Sequence, residues 1–265
     1  MSGPHAGAAS WATTVLAQTG MELKLLLRSG ESLLVTFGIP LGILVFFSVV
    51  DVLPTGDGDP VEFLVPGVLA ISVMSTAFVA QAIQTAFERK YGVLKRLGGT
   101  PLTRTRFLTA KVLAVLALVV VQTVLVLAVA RVGLDWTPAG APDHLGGTPG
   151  PDVALVAGGM LLGTAAFTAL GLLLAGALRA EATLALTNAL YLVLLLVSGL
   201  TIDLESLPRP LADASVFLPS GALGLLLREG FAPSDSAPWV LGAVVLGAWT
   251  VGAAGLAART FRWEP

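Results

Sequence analysis

The sequence lacks the residues on which most catalytic and metal sites depend. It contains no cysteine, which excludes disulfides, thiolate metal sites and cysteine nucleophiles. Its two histidines, His5 and His144, lie in predicted loops, and no HExxH pair is present. No GxxxxGK(S/T) phosphate loop occurs either. We therefore expect no cofactor in this chain and no enzymatic activity of its own.

Charge is also scarce. Asp, Glu, Lys and Arg make up 12% of the 265 residues, whereas 55% are hydrophobic, and the mean hydropathy is +0.86. A helix needs roughly 20 mostly apolar residues to cross a bilayer. Six stretches meet this requirement: 33–50, 63–87, 108–130, 153–178, 182–200 and 239–258. The sequence therefore predicts an all-α integral membrane protein whose six transmembrane helices lie within residues 30–265.

The segment that precedes the first span is amphipathic. Residues 1–9 are predicted to be disordered, and residues 10–29 to form an interfacial, connecting helix on the membrane surface. One face of this helix carries Val15, Leu16, Thr19, Leu23, Leu26 and Leu27, and the other carries Gln18, Lys24 and Arg28. Such a division is typical of a helix that lies in the interface. The alternative is a frayed extension of the first span.

Most of the basic residues lie in one segment. Residues 88–111 hold seven cations and one anion, Glu88; the cations are Arg89, Lys90, Lys95, Arg96, Arg104, Arg106 and Lys111. We call residues 88–107 the basic elbow. The second span is predicted to continue as a helix to Leu97 and to end at Gly98 and Gly99. Thr100 and Pro101 are predicted to begin the next helix, as N-cap and first-turn proline.

The distribution of charge predicts the topology. Twelve of the 15 Lys and Arg residues lie on the side that holds both termini, the basic elbow and the turn at Arg179. Since cytoplasmic loops are rich in Lys and Arg, we expect this side to face the cytoplasm. Residues 201–236 then form an extracellular insert. Pro219, Ser220 and Gly221 interrupt its apolar part, which predicts a short re-entrant hairpin before the last span rather than a further crossing.

The predicted spans contain amides but no charged residue at depth. Gln122 and Asn188 lie within the third and fifth spans. They are interpreted either as interhelical hydrogen-bonding groups or, together with Pro219 of the hairpin, as parts of a substrate path. The spacing of Gly159 and Gly163 predicts close helix contact in the fourth span. Ion-coupled carriers need ionisable groups at membrane depth, so energy for transport is expected to come from another protein.

Two motifs resemble those of a known family. Phe87 to Leu97 contains a glutamate–arginine pair, a glycine and a leucine–basic–basic–leucine run, and Thr100-Pro101-Leu102 follows it. Ser198-Gly199, Leu207-Pro208, Leu218-Pro219 and Leu227-Arg228 form the second match, before the last span. In these motifs the chain resembles the permease subunit of type-2 ABC exporters, in the drug-resistance and natural-product export branch.

The resemblance implies a membrane subunit driven by a separate ATPase, which would bind ATP and Mg²⁺. It assigns ATPase coupling to Glu88, Arg89, Tyr91, Gly92, Leu94, Lys95, Arg96, Leu97, Pro101 and Leu102. Glu88 would pair with a cation of the elbow or the surface helix, whereas Arg89, Lys95 and Arg96 would face the ATPase. The expected partners are an ABC ATPase, membrane lipid and a second permease copy in a homodimer, or a related chain in a heterodimer. No nucleic-acid partner is expected.

The expected function is therefore export of an amphipathic or hydrophobic small molecule (a drug, antibiotic or lipid) across a bacterial plasma membrane, as in multidrug efflux and antibiotic resistance. Three alternatives remain. A regulatory or immunity subunit of an ABC complex would carry the same motifs without moving cargo. An ion-coupled carrier would need charged groups within the spans, and a membrane-embedded enzyme would need clustered carboxylates or histidines at one membrane face.

Overall fold

The structure of the chain is a computed structural model that describes residues 10–28, 34–50, 60–100, 102–137, 151–200, 208–232 and 239–260. Regular structure in these ranges is helical throughout. In chain order the helices are α1 (Trp11–Leu27), α2 (Ile39–Val49), α3 (Pro60–Lys90), α4 (Val93–Gly98), α5 (Arg104–Ala128), α6 (Val153–Ala177), α7 (Ala180–Val197), α8 (Arg209–Ser215), α9 (Pro219–Phe231) and α10 (Trp239–Thr260). Short π-helical segments precede α2 (Leu34–Gly38), interrupt α3 (Met74–Ala80) and extend α5 (Val129–Gly133).

Five of these helices are long and apolar enough to cross a bilayer: α3, α5, α6, α7 and α10. A helix satisfies its backbone hydrogen bonds internally, which is why it tolerates lipid. The predicted all-α integral membrane fold is confirmed. The first predicted span is a shorter apolar helix, Thr36–Val49, and its predicted start at residue 33 lies outside the described residues. So do the N-terminal residues 1–9, for which disorder is predicted.

Helix α1 packs along α5, and its buried residues are Val15, Thr19 and Glu22. Leu16 and Leu27 of the predicted apolar face are 65% and 48% exposed, and the position of this helix on the membrane surface stays a prediction. The chain thus uses the narrow stripe of small and polar side chains to hold α1 against the bundle. The larger apolar side chains of α1 remain on its outer surface, where a membrane interface would accept them.

In the segment for which a re-entrant hairpin is predicted, the helices α8 and α9 are bent by 76° relative to one another, as in a re-entrant loop or a broken span. Pro219 starts α9, and Gly221 lies so close to the Ser215 carbonyl that a Cβ there would clash with it. Helix α9 is buried against α3, α6 and α10. The close contact predicted for α6 is confirmed, because Gly159 and Gly163 lie against side chains of α9. Residues 201–207 and 233–236 of the predicted insert lie outside the described residues.

Candidate functional site at the basic elbow

The backbone of the elbow bends earlier than predicted. Helix α3 ends at Lys90, and Gly92 adopts a left-handed conformation with φ of 71°. The short helix α4 follows it. The predicted continuous helix to Leu97 is therefore wrong, and Gly99 has an ordinary right-handed φ of −79°. A glycine pair is the stronger helix-ending signal in the sequence, but among the described glycines of the elbow it is Gly92 that takes the left-handed conformation, which glycine accepts at low cost.

The start of the following helix is also later than predicted. Thr103, not Thr100, is the N-cap of α5, and its side-chain oxygen accepts a hydrogen bond from the Arg106 backbone N–H at 3.4 Å. Pro101, the predicted first-turn residue, lies outside the described residues. In chain order the elbow thus consists of the end of α3, the left-handed Gly92, the short helix α4 and the start of α5, which is capped by Thr103.

The elbow has a small apolar core of its own. Leu94, Leu102 and Phe107 are buried together, and Leu97 packs against them. Leu94 and Leu102, to which the resemblance assigns ATPase coupling, therefore lie beneath the surface of the elbow. The exposed residues of the elbow include Tyr91, Val93, Lys95 and Arg96. A mixed aromatic and basic surface remains on the outside, supported by the core beneath it.

A buried ionic cluster ties the elbow to the surface helix. The Lys111 ammonium is fully buried, and its Nζ lies 2.9 Å from Glu22 Oε2 and 2.8 Å from Glu88 Oε2. Gln84 Nε2 donates to both carboxylates, at 3.2 Å to Glu22 and 2.8 Å to Glu88. Gln18 donates to Glu22 Oε1 at 2.9 Å. The predicted partner of Glu88 is a cation of the elbow or of the surface helix, whereas the observed partner is Lys111 of α5, just beyond the elbow. The cluster joins α1, α3 and α5.

Arg89 points into the protein. Its side chain is buried and donates from Nη1 to the Gly176 carbonyl at 2.6 Å and from Nη2 to the Leu178 carbonyl. These carbonyls belong to the end of α6, where helical carbonyls lack intrahelical partners and carry partial negative charge. The expectation that Arg89 faces a partner protein is therefore wrong.

Lys90 makes the next attachment, an ion pair with Glu181 in the first turn of α7. Its ammonium also lies 5.5 Å from the centre of the Phe87 ring. Successive residues of a helix point about 100° apart. Glu88, Arg89 and Lys90 consequently reach three different neighbours: the α1–α5 cluster, the end of α6 and the start of α7.

An apolar cavity of about 910 Å³ lies beside the basic elbow, between α1, α2, α3, α5 and α7. Asn188 lies in its wall. Gln122 is buried behind the wall, accepts from Thr76 Oγ1 at 3.0 Å and donates to the Thr36 carbonyl at 2.6 Å. Both threonine residues line the cavity. Gln122 thus forms the interhelical hydrogen bonds that one interpretation assigned to it.

Pro219 is buried at the start of α9 and is not among the residues that line the cavity. Of the three predicted substrate-path residues, Asn188 lines the cavity directly and Gln122 supports it, whereas Pro219 does neither. Sequence reasoning missed Glu22 and Lys111 as a pair. The available signal was Glu22 itself, a carboxylate three residues from Thr19 on the face of α1 that packs.

The described residues contain no cluster of His, Asp or Glu able to hold a metal ion. The arrangement instead joins helices to one another. The family model described as ABC-2 type transporter matches residues 14–220, which include most of α1, the whole elbow and the bend between α8 and α9.

This chain belongs to the ABC-2 type transporter family. It is a multi-pass ABC transporter permease, a membrane transport component that is not itself catalytic. Permeases of this family work in general with an ABC ATPase. Among curated proteins, none matches the sequence significantly. In this ABC-2 permease the match covers the whole basic elbow and ends just after the start of α9, so α10 lies beyond it.

Proposed function

We propose that this permease is the membrane subunit of an ATP-driven exporter and that a separate ABC ATPase moves it through the basic elbow. The observation that supports this proposal is the attachment of Glu88, Arg89 and Lys90 to three neighbouring structures. A force applied to the exposed surface at Lys95 and Arg96 would reach α1, α5, α6 and α7 together.

Arg89 is buried and the Glu88 side chain is only 13% exposed, so both attachments are largely shielded from water. Breaking a buried ion pair on one side leaves an uncompensated charge, which is costly. The segment between the exposed surface and these contacts is short, and its own core holds it rigid. Displacement of the elbow is therefore transmitted to the bundle rather than absorbed in the turn.

The cargo proposed is an amphipathic or hydrophobic small molecule, because the cavity beside the elbow is lined mainly by apolar side chains. Two copies of the permease and two ATPases form the working unit in a bacterial plasma membrane, with both termini and the elbow in the cytoplasm. The exposed apolar residues on α2, α5 and α7 are consistent with contact to lipid and to a second copy.

The proposal is tested in proteoliposomes that contain the permease with and without a copurifying ABC ATPase. Cargo should move only when the ATPase and ATP are present. Glu88→Gln should lower the transport rate by at least about tenfold, because it removes the charge that pairs with buried Lys111. Glu62→Gln is the matched control, since Glu62 is exposed at the opposite end of α3.

Two outcomes would contradict the proposal. Transport by the permease alone would show that no ATPase is needed. If the permease binds the ATPase and changes the rate of ATP hydrolysis but no cargo moves, the permease would be a regulatory or immunity subunit.

A further inference from the structure

The cavity beside the elbow is large enough for one drug-sized molecule. Its volume of about 910 Å³ lies within the range of ligand pockets, roughly 300–1,000 Å³. Along α3 its wall extends from Ile71 to Glu88. At 1.5 Å per residue this is about 25 Å, from the middle of the span to the basic elbow. A molecule bound there would lie in the inner half of the bundle.

The described part of the cavity wall carries charge of one sign, which is negative. Among the lining residues in the described part of the chain, Glu88 is the single charged side chain, and Lys, Arg and His are absent. Hydroxyl and amide groups supply the remaining polarity: Thr36, Ser75, Thr76, Gln81, Gln84, Tyr91, Asn188 and Tyr191. Phe37 and Phe87 add aromatic rings, and the Lys90 ammonium already lies 5.5 Å from the centre of the Phe87 ring. Such rings attract cations at their faces.

The nearby basic residues do not reverse this sign. Lys111 is fully buried between two carboxylates, so the cluster of Glu22, Glu88 and Lys111 has a formal charge of −1. Arg89 carries a positive charge of its own, but its guanidinium is turned to the Gly176 and Leu178 carbonyls at the end of α6, whose partial negative charge offsets it in part. Lys90 is paired with Glu181. Inside a low-dielectric bundle, an unbalanced charge acts over a longer distance than in water.

We propose that this cavity is a binding site for a lipophilic organic cation of drug size. This inference rests on the proposed transport function, since it names the class of molecule that the exporter moves. The apolar wall takes up the hydrophobic body of the cation, and the aromatic rings and the negative cluster at Glu88 balance its charge. An anion of the same shape finds no cationic side chain in the described wall and is repelled by the cluster.

The test measures equilibrium binding to the purified full-length permease, without ATPase, in nanodiscs of phosphatidylcholine. The probes are tetraphenylphosphonium and tetraphenylborate, which have nearly the same shape and opposite charge. Empty nanodiscs give the lipid background, which is subtracted. Tetraphenylphosphonium should bind saturably and at least about tenfold more tightly than tetraphenylborate.

Asn188 offers a matched pair of variants. Its side chain is exposed in the single chain and, among the described residues, donates to the Leu184 carbonyl of its own helix at 2.9 Å. Asn188→Lys should weaken tetraphenylphosphonium binding by at least about tenfold, because it adds a cation to the wall. Asn188→Gln should change it by less than about threefold, since it keeps the charge and the amide.

Equal binding of the two probes, or an unchanged affinity in Asn188→Lys, would overturn the inference. So would the absence of saturable binding, which is expected if a lipid acyl chain fills the cavity. Failure of the proposed function looks different: tetraphenylphosphonium would bind, but ATP would drive no flux with the ATPase present. Conversely, ATP-driven flux of a neutral compound without cation binding would leave the exporter proposal intact and refute the cation site.

Discussion

Lys111 belongs by sequence to the cations of the basic segment, but its ammonium is fully buried between Glu22 and Glu88. Burial of a charge is tolerated when it is paired and hydrogen-bonded. Here one cation faces two carboxylates, and Gln84 donates to both of them. The same residue thus contributes little to the surface charge of the elbow and much to the contact between α1, α3 and α5.

Removal of this cation gives a prediction at the residue scale. Lys111→Met should lower the free energy of unfolding by about 3 kcal/mol, because it leaves two buried carboxylates without their counter-ion. Thermal unfolding of the purified protein in detergent measures the change. Lys24→Met is the control, since Lys24 is exposed on α1. Equal melting temperatures for the two variants would show that the buried pair contributes no net stability.

At the scale of secondary structure, the turn at Gly92 determines how the elbow joins α3. A Cβ at this position would meet no neighbouring atom within 4 Å, so the cost of a larger residue comes from the backbone, whose φ is 71°. Left-handed residues other than glycine cost about 1–2 kcal/mol. The strain would be relieved most easily by rotation of α4 against α3, since only this turn lies between them.

Gly92→Ala should therefore loosen the connection between the ATPase-facing surface and the bundle. The expected result is more ATP hydrolysed for each molecule transported, with membrane insertion unchanged, measured in the same proteoliposomes. Gly20→Ala is the matched control, because Gly20 lies within α1 and a Cβ there also meets nothing within 4 Å. An unchanged ratio in Gly92→Ala would indicate that this turn does not transmit the motion.

At the scale of the whole molecule, the helices are organised around α3 and the bent pair of α8 and α9. Helix α3 is the most buried of the candidate spans, with 78% of its most apolar window inside the protein. Helix α9 fills the space between α3, α6 and α10 because glycines on its neighbours admit its side chains. The basic elbow and the bent pair are predicted to lie on opposite sides of the membrane.

The absence of cysteine makes this topology directly measurable. Single cysteines are introduced at Lys95 in α4 and at Asp213 in α8, both of which are exposed. A membrane-impermeant maleimide should label Asp213→Cys in intact cells and Lys95→Cys only after the cells are opened. Labelling of Lys95→Cys in intact cells would place the elbow outside and remove it from contact with a cytoplasmic ATPase.

The sequence by itself determined the class of protein and the approximate position of its helices. Apolar runs of this length admit only helices in lipid, because every backbone polar group must be paired within the segment. The predicted fourth span, residues 153–178, agrees with Val153–Ala177, and Trp239 begins the last span in both. The resemblance in the elbow motif also led to the family that the comparison confirmed.

Tertiary structure alone decided what the charged residues of the elbow contact. Local sequence describes Arg89 and Lys111 as members of a basic loop, and their partners, Gly176, Leu178, Glu22 and Glu88, are mostly distant in the chain. The left-handed turn at Gly92 rather than at Gly98 and Gly99 is of the same kind. The contacts of Arg89 and Lys111 depend on how the helices pack, because burial and the position of neighbouring carbonyls and carboxylates set the free energy of a charged side chain.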